Sequence, residues 1–263
     1  MRVQYIRRNF KDALGYVNTG APWTPVTAID PGPDGVLGTR DDGGPLTVYH
    51  DDRPQEQFLL LTNPRDAWRS YNAVQMMGTR RYAKGWQLQA SYTWSRSRGS
   101  YDNGFSSNAA NGELSLNGIG ANPNWTIFRT GRTSEDRTHD VKVLGIYTLP
   151  YWGGIRVCGI YRYVSGTPWG RVIPFDPLTN LCCSGPLVEP KDAHELDATN
   201  TIDLRVEKTF PVGSTKFGIY GDVFNLTNQG IATSINQGSG PNFGVPFGWS
   251  DPRTLRVGLR VRF

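Results

Sequence analysis

The last twelve residues, Pro252 to Phe263, read P-R-T-L-R-V-G-L-R-V-R-F. Leu255, Val257, Leu259, Val261 and Phe263 fall on one row; Thr254, Arg256, Gly258, Arg260 and Arg262 fall on the other. Side chains of an extended strand alternate between faces, so this segment has one apolar face and one strongly cationic face. The edge of a soluble sandwich could also bury such a row. A membrane-length strand ending on an aromatic residue fits better a wall with hydrocarbon on one side and a wet, polar interior on the other.

Composition is compatible with that wall. Only 38% of the 263 residues are hydrophobic, and no run approaches the roughly 18 apolar residues that a transmembrane helix needs. With 31 Gly and 18 Pro, the chain is rich in turn formers, as all-β proteins are. The net charge of +5 does not point to nucleic acid, because the arginines are dispersed along alternating strands rather than gathered in one patch.

Seven further segments show strand periodicity, giving predicted strands near residues 1–10, 67–82, 86–97, 138–149, 154–165, 200–210, 215–227 and 253–263. Trp86 to Ser95 alternates most cleanly: Trp86, Leu88, Ala90, Tyr92 and Trp94 against Gln87, Gln89, Ser91, Thr93 and Ser95. Ile202, Leu204 and Val206 alternate with Asp203, Arg205 and Glu207; Phe217, Ile219, Gly221 and Val223 share one side of the next strand. Three connections are short: Ala83-Lys84-Gly85, Pro150-Tyr151-Trp152-Gly153 and Pro211-Val212-Gly213-Ser214. The intervening ones are long and rich in Gly, Pro and Asn: residues 10–64, 96–138, 166–198 and 228–251.

Strict alternation of short and long connections is the pattern of an outer-membrane barrel, with short periplasmic turns and long extracellular loops. Unstructured loops of such length are uncommon inside a compact soluble domain. The predicted fold is therefore all-β, an antiparallel transmembrane β-barrel portion of about eight strands. Its final strand descends, which places Phe263 on the periplasmic side. Tyr82 and Trp86, then Tyr147, Tyr151 and Trp152, then Phe210 and Phe217 flank the three short turns. Aromatic rings favour the headgroup interface, so these residues form a candidate periplasmic girdle; aromatics packed at the strand ends of a sandwich are the alternative.

Several stretches together resemble a known family. They are Y-I-R-R-N-F-K-D-A-L-G-Y-V-N at Tyr5 to Asn18, K-G-W-Q-L-Q-A-S-Y-T-W-S-R-S-R-G at Lys84 to Gly99, S-G-T-P-W at Ser165 to Trp169, T-I-D-L-R-V-E-K-T-F at Thr201 to Phe210, Y-G-D-V-F-N-L-T-N at Tyr220 to Asn228, and the terminal strand. In order and spacing the chain is similar to the C-terminal barrel portion of TonB-dependent outer-membrane receptors and transporters. The likeness is greatest to the Oar-like branch, whose intact members carry a carboxypeptidase-regulatory-like domain ahead of the plug. The resemblance implies a 22-stranded parent barrel, location in the bacterial outer membrane, and coupling to TonB through an N-terminal region. It also implies uptake of siderophore-like or other bulky ligands.

Met1 is followed by R-V-Q-Y-I-R-R-N-F, which has no apolar export-signal core. Together with the resemblance, this gives the expectation of a C-terminal piece lacking plug and signal peptide. The terminal strand, an apolar row ending in an aromatic, is open to capture by β-augmentation. The resemblance implies that the barrel-assembly machinery reads it, with Phe263 foremost and Val261, Leu259 and Val257 behind. The same residues can also simply face outer-membrane lipid. Asp203, Arg205, Glu207, Arg256, Arg260 and Arg262 are candidate lumen charges, with opposite-sign ladders across neighbouring strands as their simplest role.

Other chemistry is sparse. Asp30 to Asp42 resembles a calcium loop, with Asp30 at position 1, Asp34 at 5, Gly35 at 6, the Val36 carbonyl at 7 and Asp41 at 12. Gly32 stands where position 3 should supply an oxygen, and a Gly/Pro turn-rich loop explains the same residues. No other cofactor is expected. Cys182 and Cys183 are compatible with a vicinal disulfide or with free thiols, and no zinc-site spacing is present. His194-Glu195 lacks the second histidine of H-E-x-x-H, and neither a G-x-S-x-G elbow nor a phosphate-cradling loop occurs. No enzymatic activity is expected. A small outer-membrane adhesin or enzyme and a soluble β-sandwich binding module are the remaining alternatives.

Overall fold

The structure, a computed structural model, describes residues 1–20, 22–53, 58–102, 121–151, 153–173 and 187–263. Trp152, Cys182 and Cys183 lie outside the described residues.

The eight wall strands are Arg2–Phe10, Arg69–Ala83, Trp86–Gly99, His139–Leu149, Ile155–Val164, Thr199–Val212, Thr215–Phe224 and Thr254–Arg262. They form one antiparallel sheet in chain order, with the short Gly131–Arg132 strand added beside Trp86–Gly99. Among the described residues the sheet is open: Arg2–Phe10 pairs only with Arg69–Ala83, and Thr254–Arg262 only with Thr215–Phe224.

Register sorts the faces. Val74 pairs with Tyr5 and Trp94; Val143 pairs with Ala90 and Tyr161. Leu204 pairs with Gly159 and Val223, and Val223 pairs with Leu255. Directly paired residues share a face, so the apolar rows of all eight strands merge into one surface. All four carboxylates of the wall strands, Asp140, Asp203, Glu207 and Asp222, fall on the opposite face. Val257 and Leu259 at 80% and 76% exposure show how bare the apolar surface is. A water-soluble sandwich would cover it with a second sheet; a lipid-facing wall leaves it so.

The short turns are tight because their residues adopt positive φ. Lys84 (φ 52°) and Gly85 (φ 84°) join Arg69–Ala83 to Trp86–Gly99 in a two-residue turn whose sign at both positions matches the strand twist. The third turn is shorter than the sequence indicates. Pro211 and Val212 belong to the strand, paired with Lys216 and Thr215, which leaves Gly213-Ser214 as the connection. Proline is tolerated there, at a strand end. The seventh strand stops at Phe224 rather than near residue 227, because Asn225 turns to φ 49°. The Asn225 Nδ2 donates to the carbonyls of Asp251 (2.9 Å) and Gln229 (3.2 Å), fastening the loop base.

The long connections are not plain loops. Trp23–Ile29 pairs with Pro45–Asp51, Gly15–Asn18 with Leu59–Thr62, Pro168–Trp169 with His194–Glu195, and Ala232–Ile235 with Pro246–Trp249. These hairpins pack together above the wall, where most of the buried residues lie. Asn124, fully buried, accepts from the Tyr49 amide (2.7 Å) and donates to the Tyr49 carbonyl (2.6 Å), so it completes the edge of one hairpin as a strand would.

Candidate functional site

Two regions carry concentrated polar chemistry: a ladder on the wall's polar face and a vestibule built by the long connections. Arg205, Asp222 and Arg256 pair across three strands. Asp222, 4% exposed, accepts from Arg205 Nε at 2.5 Å and Nη2 at 2.9 Å, and from Arg256 Nε at 2.8 Å. One rung towards the short turns, Glu207 meets Arg260 at 3.2 Å. The Tyr220 ring lies between, with Arg205 at 4.6 Å and Arg260 at 5.7 Å from its centroid. Asp203 accepts from the Asn225 amide (2.8 Å) and so ties the ladder to the loop base. Arg262 sits opposite Lys216, apart from the ladder, at the short-turn end.

The polar face carries an apolar island. Leu144 pairs with Ile160 and Ile146 with Cys158, all on the carboxylate-bearing side. Strict alternation misses it, because the strand reads V-K-V-L-G-I-Y, with hydrophobic residues on both rows.

In the vestibule, Arg171 is the hub. Its Nη1 and Nη2 donate to the two Asp30 carboxylate oxygens at 2.7 and 2.6 Å; Nη1 also donates to Ser239 Oγ at 2.9 Å. Its backbone amide donates to Glu189 (2.7 Å), which in turn meets His194 Nε2 at 2.8 Å. The Asp30 bond raises the Arg171 pKa further. His194 stacks on Trp169 with centroids 4.4 Å apart. Beside this stack opens a cleft of about 310 Å³, lined by Glu135, Arg137, Thr167, Trp169, Thr233 and Gln237 among others. Charged, amide, hydroxyl and aromatic groups converge there, the mixture that orients a polar organic ligand.

A second knot lies behind it. Arg132 donates to Asp136 (2.7 Å) and Glu195 (2.6 Å), and Lys191 meets Asp102 at 3.3 Å. Arg129 is buried nearby; desolvation lowers its pKa to about 9, against the opposing pull of Asp102. Among the described residues its Nε and Nη1 have no hydrogen-bond partner.

The residues of the calcium-like loop are partly brought together. Asp41 accepts from the Asp34 amide (3.1 Å) and from Thr39 Oγ1 (2.6 Å); the Thr39 bond, then the Asp34 amide, hold its carboxyl below the usual range. Asp34 Oδ1 accepts from the Val36 amide at 2.8 Å. Asp30 points away to Arg171. Among the described residues no group of three or more His, Cys, Asp or Glu side chains converges as a metal site. At the other end, Phe263 is wholly exposed, and Val257, Leu259 and Val261 extend its apolar row along the open edge.

An open antiparallel wall with short turns, loop hairpins and segregated faces defines an outer-membrane barrel. The chain belongs to the outer membrane beta barrel domain family, whose model matches residues 21–168, more than half of its length. It resides in the bacterial outer membrane. It is also similar to the TonB-dependent transporter Oar of Myxococcus xanthus, with 32% identity over 180 residues. That match takes in 63% of this chain and 16% of the relative, so the chain spans about a sixth of the relative's length. No solved structure matches it.

Proposed function

We propose that this chain supplies part of the wall and the ligand-facing loops of a TonB-dependent transporter that imports siderophore-like or other bulky substrates. The observation that carries the reading is the open sheet. Peptide groups left unpaired in hydrocarbon cost several kcal/mol each, so both edges call for neighbouring strands of a larger barrel. An eight-stranded adhesin or enzyme would instead close on itself.

Two features support the finer reading. The island of Leu144, Ile146 and Ile160 on the polar face suits the apolar flank of a plug filling the lumen. The cleft beside Trp169 and His194 suits capture of a ligand before passage. Energy coupling would come through TonB and a region outside these 263 residues. Nothing in the reading requires a chemical step on the ligand.

The test is uptake by cells expressing the full reading frame, with and without a proton-motive-force uncoupler. Energy-dependent accumulation, reduced by Trp169→Ala, is expected. Accumulation unaffected by the uncoupler would overturn the transporter reading.

A further inference from the structure

The apolar face carries charges only at its two ends, and all of them are cations. Near the short turns stand Arg80, whose guanidinium carbon is 3.9 Å from the Trp86 ring centroid, and Lys208, 5.1 Å from that of Phe210. Near the long loops stand Arg7, Arg96 and Arg98, all exposed. Arg80 pairs with Leu88, and Arg96 lies further up the same strand as Leu88. Eight residues of strand span about 26 Å, or roughly 20 Å of height at the usual tilt of about 40°. The two cationic levels therefore bracket an apolar band that approaches the roughly 25 Å lipid-facing belt of an outer-membrane barrel.

The upper level is compact. Asn72 pairs with Arg7 on one side and Arg96 on the other; the next row up is Asn9, Ser70 and Arg98; the row below is Tyr5, Val74 and Trp94. The Tyr5 hydroxyl donates to Asn72 Oδ1 at 3.1 Å. Among the described residues none of the three arginines has a carboxylate within ion-pair distance. The adjoining Arg132 already holds Asp136 and Glu195, so those carboxylates are engaged. Three guanidiniums without counter-ions, directed outward just above a Tyr/Trp row, have the charge and the height of a phosphate plane.

We propose that Arg7, Arg96 and Arg98, with Asn72 between them, bind the phosphate of an anionic lipid head group in the leaflet on the long-loop side. Tyr5 and Trp94 contact the start of its acyl region. The proposal rests on the apolar face meeting lipid and on nothing about transport, so its failure leaves the transporter reading untouched.

The full-length protein, purified in nonionic detergent, is titrated separately with dioleoyl phosphatidic acid, dioleoyl phosphatidylcholine and inorganic phosphate. Bound molecules are counted by native mass spectrometry. Phosphatidic acid is expected to be retained in preference to the other two, and the retention should weaken with added salt. R7Q/R96Q/R98Q is expected to lose the tightest-bound lipid by about tenfold or more, R7K/R96K/R98K to keep most of it, and R156Q, on the polar face, to match the wild type. If the triple glutamine variant does not assemble, R7Q and R98Q singly must each show a partial loss. Undiminished retention in the glutamine variants, or equal binding of inorganic phosphate, would overturn the proposal.

Discussion

The ring of Tyr220 lies directly over Gly258: a Cβ placed at 258 would sit 2.3 Å from the ring's Cζ. The two residues are register partners in adjacent strands, and the missing side chain makes the space that the ring fills. Gly258→Ala should therefore push Tyr220 out from between Arg205 and Arg260, destabilising the wall by about 1–3 kcal/mol. Tyr220→Ala should relieve most of that cost. A double-mutant cycle on unfolding midpoints in detergent measures the coupling; additive effects would mean that the ring does not depend on the glycine.

Asp222 serves two arginines, whereas Glu207 serves one at a longer distance. Removing Asp222 leaves two guanidiniums facing each other. Asp222→Asn should lower the temperature at which the barrel loses its compact mobility in SDS gels, and by more than Glu207→Gln does. Equal shifts would show that the ladder works only through overall charge.

Deletion of Phe263 should slow insertion into the outer membrane and leave protein in the periplasm. Phe263→Tyr should insert nearly normally, since the edge capture needs an apolar aromatic end rather than one particular ring. Quantifying membrane-fraction protein after a short induction checks this; normal insertion of the truncated form would remove the assembly role.

Arg129 gives a pH signature. Its folded pKa of about 9 lies well below that of an ordinary guanidinium. Between these values the unfolded chain holds a proton that the folded chain has released, so this group's contribution to stability rises with pH across that window. Below pH 9 both states are charged and the folded state bears the full cost of burial. Arg129→Met should thus be stabilising at pH 7, with the advantage shrinking as pH passes above 9. Parallel denaturation curves of the two proteins from pH 7 to 10.5 provide the test, and a constant difference would contradict it.

Asp30 cannot hold Arg171 in a bidentate pair and also serve as the first ligand of a calcium loop. Calorimetric titration of the folded protein should show no saturable calcium uptake below about a millimolar, the weak end for extracellular sites. Saturable binding abolished by Asp30→Asn would reinstate the ion. Arg171→Met should release its two neighbouring connections, read as increased proteolysis near Asp30 and Ser239.

What was legible in the chain follows from the range of each interaction. Strand identity is local: side-chain alternation in Trp86 to Trp94 or Leu255 to Phe263 reveals both the element and its faces. Connection length, also local, set the antiparallel order and the two ends. The hairpins within the long connections are short and weakly patterned; in the longest, Pro25 and Pro45 interrupt the alternation amid Gly and Asp. The ladder's members could be named from their strands, but which arginine meets which carboxylate depends on register. The Tyr220–Gly258 fit and the Asp30–Arg171 pair, 141 residues apart, leave no local trace.

The confinement of every wall carboxylate to one face has a consequence for salt. The carboxylate–arginine rungs stand on the wet side, where added ions weaken them; hydrocarbon keeps those ions away from the other side. Such a wall can soften within while its hold on the bilayer stays as it was.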